Sequence, residues 1–323
     1  MKQKFIHYIV FVFFLGTSCR SFTHEIILPV YQPDFKAQDL RKNDVLMLSQ
    51  RIYVAEKDAG TGKIEAAKAI VDHRTNSYHF DSHGNITKAF KLDKSEKFKL
   101  SKTHRYTYDA DANILEKAHY NSKGELYDLW SFTYDMRGNK TQWKRTDRNG
   151  ALMVLWEFEY NDQGDLVHEK KLRPDSTIIN ATRYFYDYKK REVEEVYYKK
   201  VQEEFTERRV YKYSRYKDLQ KVRYYDMAGN VRLGWDMDCK KNKQDCGLKS
   251  YGESEKFEGS WIYKKDKYGN KLEEIRLDRE GELDLKKSYQ YTYDSRGNWV
   301  ERIYFFNGEA QEISFREIQY RES

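Results

Sequence analysis

Hydrophobic and polar residues alternate along much of this chain. Leu126, Trp130, Phe132 and Tyr134 share one parity, broken only by Asp128. Leu152, Val154, Trp156, Phe158 and Tyr160 repeat the pattern, as do Leu283, Leu285, Tyr289, Tyr291 and Tyr293. The opposite parity carries Glu125, Ser131 and Thr133 in the first stretch and Glu157 and Glu159 in the second. Period-two alternation marks a strand with one buried face. The stretch 140–145, which follows the first run, is more polar and reads as its return strand. A greasy strand paired with a polar one predicts a thin core.

The turns are as regular as the strands. Tyr134-Asp135 is followed by Gly138-Asn139, and Tyr293-Asp294 by Gly297-Asn298. Worn copies sit at Tyr106/Tyr108/Asp109, Phe158/Tyr160/Asn161, Tyr184/Tyr186/Asp187 and Tyr211/Tyr213. Asp109, Asp135, Asn161 and Asp187 fall 26 residues apart. A second turn in each unit carries Gly124, Gly150 or Gly281, with Gly308 as a weaker form. Glycine supplies the positive φ of a tight turn, and Asp or Asn bonds the local backbone. Two turns per unit leave two strands, joined as hairpins by a type I turn with a Gly bulge. A fixed period of this length indicates a repeat architecture. The expected fold is all-β, an antiparallel meander of β-hairpin repeats with a period of about 26 residues. The expected form is an open, twisted or spiral sheet. Only three prolines interrupt it, so the ladders are free to form.

The Tyr-Asp-x-x-Gly-Asn spacing resembles the YD repeats of the Rhs-type family over roughly residues 73–230 and 260–323. Larger members of that family wind into hollow β-shells, and the resemblance implies a related wall here. The pattern departs at Ala112, which stands where the turn glycine belongs, and at Asp187-Tyr188-Lys189-Lys190, which lacks Gly-Asn. The size and C-terminal effector domain of toxin-carrying relatives have no counterpart, so their activity does not carry over.

The N-terminus changes the picture of compartment. Lys2 and Lys4 precede an apolar run from Tyr8 to Leu15, and Gly16-Thr17-Ser18-Cys19 follows. The run is too short to span a bilayer as a helix. Small residues before a cysteine here resemble a bacterial lipoprotein processing site, which would make Cys19 the lipidated first residue and the membrane anchor. The alternatives are simple signal cleavage, giving a secreted product, or a buried strand. The expected organisation is a signal peptide at 1–19, a tether at 20–33, an N-terminal segment at 34–72, repeats at 73–230, an insertion at 231–259 and further repeats at 260–323. Within the insertion, Cys239 and Cys246 bracket six residues. In an exported chain this favours a disulfide over free thiols. A zinc site would need further ligands, and no histidine follows His168.

Charge and candidate chemistry add little. The chain is +7 overall and 34% charged, with both signs mixed along every strand. That describes a solvated surface, and export disfavours a nucleic-acid partner. His79 and His83 belong to a repeat copy, with His73 just before it. Asp109, Asp111 and Asn113 imitate a calcium loop, but Ile114 and Tyr120 stand where it needs Gly and Glu. No nucleophile elbow or phosphate loop occurs. Most of the 28 tyrosines have core parity, while Tyr127 has the open parity that could stack on sugars. These features predict no catalytic residue, metal or cofactor. The expectation is a non-enzymatic binding or display module, lipid-anchored at the bacterial envelope, with a protein or glycan partner. Two alternatives stand beside it: an encapsulating shell that wraps a partner chain, and an envelope hydrolase with its site in 34–72 or 231–259.

Overall fold

A computed structural model describes residues 44–70, 75–92, 97–199, 206–215, 219–239 and 245–322. The strands run in chain order as β1 (Val45–Lys57), β2 (Ile64–Ile70), β3 (Asn76–Phe80), β4 (Ile86–Leu92), β5 (Phe98–Tyr108), β6 (Ile114–Asn121) and β7 (Leu126–Tyr134). Next come β8 (Lys140–Asp147), β9 (Leu152–Tyr160), β10 (Leu166–Leu172), β11 (Ile178–Asp187), β12 (Glu192–Lys199), β13 (Glu207–Tyr213) and β14 (Leu219–Tyr225). The series ends with β15 (Val231–Cys239), β16 (Asp245–Tyr251), β17 (Phe257–Lys265), β18 (Lys271–Leu277), β19 (Leu283–Tyr293), β20 (Trp299–Phe306) and β21 (Glu309–Tyr320).

The turns have the expected chemistry. At the β7–β8 turn, Asp135 Oδ1 accepts the N–H of Arg137 at 2.9 Å and of Asn139 at 2.8 Å. Gly138 donates its N–H to the Asp135 carbonyl at 3.0 Å and holds φ +78°. Ala112 holds φ +63° in the corresponding β5–β6 turn, a conformation a side chain resists. The repeat tyrosines explain why the period persists. Tyr134 donates its hydroxyl to the Ile114 carbonyl at 2.9 Å, Tyr160 to Lys140 at 2.8 Å and Tyr186 to Leu166 at 2.8 Å. Each tyrosine thus ties its strand to the start of the return strand in the preceding unit.

The open or spiral sheet expected from the repeats is overturned. From β3 to β21 each strand pairs antiparallel with the next, and β1 closes the series into a barrel of twenty strands. One edge of β1 pairs with β21, from Val45↔Tyr320 to Val54↔Glu312. Its other edge pairs with β3 at Met47↔His79 to Gln50↔Asn76, and with β2 further along. A meander of hairpins has one unpaired edge at each end, and both edges present unmet backbone groups. A single strand from the N-terminal segment satisfies both, which no repeat could have announced.

The segment 231–259, expected as an insertion, supplies β15 and β16 to the ring, and its excursion shrinks to a 3₁₀ turn at Glu253–Glu255. That turn reaches Arg223, whose Nε lies 2.7 Å from Glu255 Oε1 and whose Nη2 lies 2.8 Å from Asp236 Oδ1. Arg223 fills the space a side chain at Gly234 would need, since a Cβ there would lie 2.6 Å from its Cδ. Cys239 and Cys246 are register partners across β15–β16 and are joined by a disulfide.

The core is thin and divided. One cluster joins Val45, Leu48, Tyr78 and Phe80; a second joins Leu166, Tyr184, Val193 and Tyr213; a third joins Val222, Trp235 and Leu248. Each draws on strands that are neighbours or near neighbours in the ring.

Candidate functional site: the aromatic wall of the barrel

Strand pairing sorts the side chains onto two faces. On one face the ladder aligns His104 with His119 and Asp128, and Tyr106 with Lys117, Trp130 and Arg145. Phe132, Trp143, Trp156 and Lys171 form the next row. The other face carries partly exposed ion pairs such as Lys170–Glu159 at 2.7 Å, Arg208–Glu194 at 2.6 Å and Lys264–Glu273 at 2.6 Å.

Asp128, the charged exception in an apolar parity, is the centre of the first face. It is 1% exposed. Arg145 meets its Oδ2 through both Nε and Nη2, each at 2.6 Å. His119 Nδ1 lies 2.6 Å from Oδ1, short but misaligned, so Oδ1 lacks a well-formed hydrogen bond. A buried carboxylate is tolerable only with such partners. His119 Nε2 and the neighbouring Trp130 Nε1 are also buried without a protein partner. His104 turns its Nδ1 to the Ile86 carbonyl at 3.1 Å and packs on His119, with 4.7 Å between ring centroids. Burial and then the nearby Lys117 push the His119 imidazole down to about 4 and that of His104 down to about 3. Both rings are therefore neutral near pH 7.

Around this network the aromatics form a stack. Trp130 and Trp143 lie 4.9 Å apart and 5° from parallel, and Trp143 and Trp156 lie 5.7 Å apart and 19° from parallel. Further round the ring the face turns acidic. Glu195 accepts the Tyr211 hydroxyl at 2.6 Å and lies 3.3 Å from Arg209 Nη1. Burial, then the charge of Glu195, raises the Glu169 carboxyl to about 7. Between them, the Tyr184 hydroxyl is buried without a partner.

The residues singled out in the sequence fall elsewhere. His83 stacks on Tyr108 at 4.2 Å, and His79 packs against Phe90 at 5.0 Å. Among the described residues no three potential ligands gather as a metal site. Asp109 accepts the N–H groups of Asp111 at 3.0 Å and Asn113 at 2.8 Å as a turn former. Tyr127 is 64% exposed, with the Arg145 guanidinium 5.9 Å from its ring. Cys19, His73 and the proposed tether lie outside the described residues. His104, His119, Asp128 and Arg145 were missed as a group. Their one signal was an acid at a core-parity position, and only the strand register reveals its partners.

Fold and site together define a closed antiparallel barrel of twenty strands with one aromatic, cation-bearing face. No protein-family model and no curated protein matches the sequence. Among solved structures, a porin-like protein from Bacteroides uniformis is similar at 12% identity, with 86% of this chain and 97% of that chain covered and a TM-score of 0.32. A porin-like protein from Bacteroides vulgatus is also similar at 12% identity, covering 73% of this chain and 98% of that one, with a TM-score of 0.33. The Tc holotoxin pore of Photorhabdus luminescens is 11% identical over 81% of this chain but only 15% of its own, with a TM-score of 0.32. Likenesses this distant carry no argument about what this chain does.

Proposed function

We propose that this protein is exported, tethered to the bacterial envelope through Cys19, and acts as a non-enzymatic β shell whose aromatic wall receives a partner. The shell reading replaces the open display surface because the sheet has no free ends. Barrels of 16–18 strands already enclose an aqueous channel, so wall side chains cannot fill a ring of twenty. We assign the aromatic face to the lumen. Its side chains are the more crowded, with Asp128, Trp156, Tyr184 and Glu195 all buried, whereas Phe185 and Ile262 on the other face are exposed. The Glu253–Glu255 excursion, which packs on Arg223, also lies on that other face.

The observation that carries the reading is charge on both faces. A barrel that spans a membrane needs an outward apolar band about 25 Å tall. Here one face bears the ion pairs of Glu159, Glu194 and Glu273, and the other bears Lys117, Asp128, Arg145, Glu195 and Arg209. Neither face suits lipid. Cys19→Ala protein should leave the membrane fraction and stay folded in buffer without detergent. Extraction only by detergent would identify an inserted barrel and overturn the shell.

One observation favours the hydrolase alternative. Glu169 is held toward its neutral form while Glu195 is paired with Arg209, an asymmetry that acid–base catalysis uses. Glycosidase activity abolished by both Glu169→Gln and Glu195→Gln would establish it.

A further inference from the structure

Building on the shell reading, we propose that the arc of aromatic wall from β5 to β10 binds an acidic polysaccharide. The tryptophan stack is decisive for the kind of ligand. Trp130, Trp143 and Trp156 spend their faces on one another. Cations take what remains: Lys117 lies 5.8 Å from the Trp130 centroid and 5.6 Å from that of Tyr106, Arg145 lies 6.0 Å from Trp130, and Lys171 lies 5.4 Å from Trp156. What the stack offers is ring edges, the positive rim of the aromatic quadrupole. A neutral sugar needs an open ring face, and the stacked tryptophans turn theirs to one another. An anion meets ring edges and ammonium or guanidinium groups together.

Two carboxylates share this row: Asp128 is engaged by Arg145 and His119, and its register partner Asp147 accepts the N–H groups of Asn149 and Ala151 in the following turn. The next acid along the face, Glu169 on β10, marks the end of the arc. Lys117, Arg145 and Lys171 sit on β6, β8 and β10, two strand spacings or about 10 Å apart across the sheet. That interval suits every second sugar of a polyuronate, which carries one carboxylate per sugar. An extended peptide repeats its same-side carboxylates every second residue, about 6.8 Å apart.

The test is titration of folded Cys19→Ala protein with polygalacturonate, poly-L-glutamate and neutral dextran. Polygalacturonate should bind, and its affinity should fall at least about tenfold between roughly 0.05 and 0.5 M salt. Lys117→Gln combined with Arg145→Gln should cost about tenfold or more, while Lys264→Gln with Arg208→Gln on the opposite face should change affinity by less than about twofold. If the first pair fails to fold, the salt dependence and the ligand comparison on the parent protein still decide. Equal or tighter binding of poly-L-glutamate would reassign the arc to an acidic polypeptide and overturn the proposal, as would equal binding of dextran. A soluble, folded protein that binds no polygalacturonate overturns this inference and leaves the shell standing. A protein soluble only in detergent overturns both.

Discussion

At the scale of single residues, two turn positions report on backbone strain without any confounding contact. A Cβ at Gly138 would meet nothing within 4 Å, so Gly138→Ala should cost about 1 kcal/mol through its φ of +78° alone. Ala112, at φ +63°, already bears that strain, and Ala112→Gly should recover up to about 1 kcal/mol. Urea denaturation of both variants checks the pair, and two shifts of the same sign would contradict the turn assignment. The histidines make a second prediction. Folded pKa values of about 4 for His119 and about 3 for His104 lie below the unfolded value near 6.5, so the folded state binds fewer protons and loses stability as pH falls from about 6.5 toward 4. Glu169, at about 7 when folded, opposes this by gaining stability as pH falls from about 7 to 4.5. Burial shifts His79 and His168 down as well, so the histidines outweigh the one raised carboxyl and stability falls between pH 7 and 5. His104→Phe should reduce that loss, and greater stability at pH 5 than at pH 7 would exclude the assignment. The sequence displayed Asp128 as an anomaly but not its partners, because Arg145 and His119 reach it only through the register of two neighbouring strands.

Individual hairpins were legible in advance because their signals are local. Alternation sets the buried face of β7, β9 and β19, and Asp135 and Gly138 fix the turn between β7 and β8 within five residues. The tyrosine ties were not legible, because each hydroxyl acts on a carbonyl 20 residues back, as Tyr134 does on Ile114. The β15–β16 hairpin lay between these extremes. Its cysteine spacing suggested a bridge, while its lysine- and glycine-rich composition concealed two ring strands. With Cys239 and Cys246 directly opposed, the bridge closes a loop of eight residues, worth roughly 2.5 kcal/mol on a chain-entropy estimate. Mass spectrometry of the unreduced exported protein should find both cysteines in one bridge, and reduction should lower the melting temperature. Two freely alkylatable thiols would contradict the pairing.

At the scale of the whole molecule, the repeats specify a wall and leave its ends undetermined. Closure depends on β1, which has no repeat signature and lies in a segment that reads equally well as strand or helix in part. Its pairing with β21 spans nearly the whole chain in sequence, and no local pattern encodes such a contact. The shell, its lumen and the acidic-ligand arc all depend on that one seam. Arg51 and Phe315 are direct register partners across it, and antiparallel partners lie about 4.5–5.5 Å apart at Cα, within disulfide reach. Arg51→Cys combined with Phe315→Cys, placed in the Cys19→Ala background, tests the seam by oxidation followed by peptide mapping. The closed barrel predicts an intramolecular bridge between positions 51 and 315 in folded monomer, formed alongside the native Cys239–Cys246 pair. Folded monomer in which the two introduced thiols stay free, while the native pair oxidises, would show that the sheet is open.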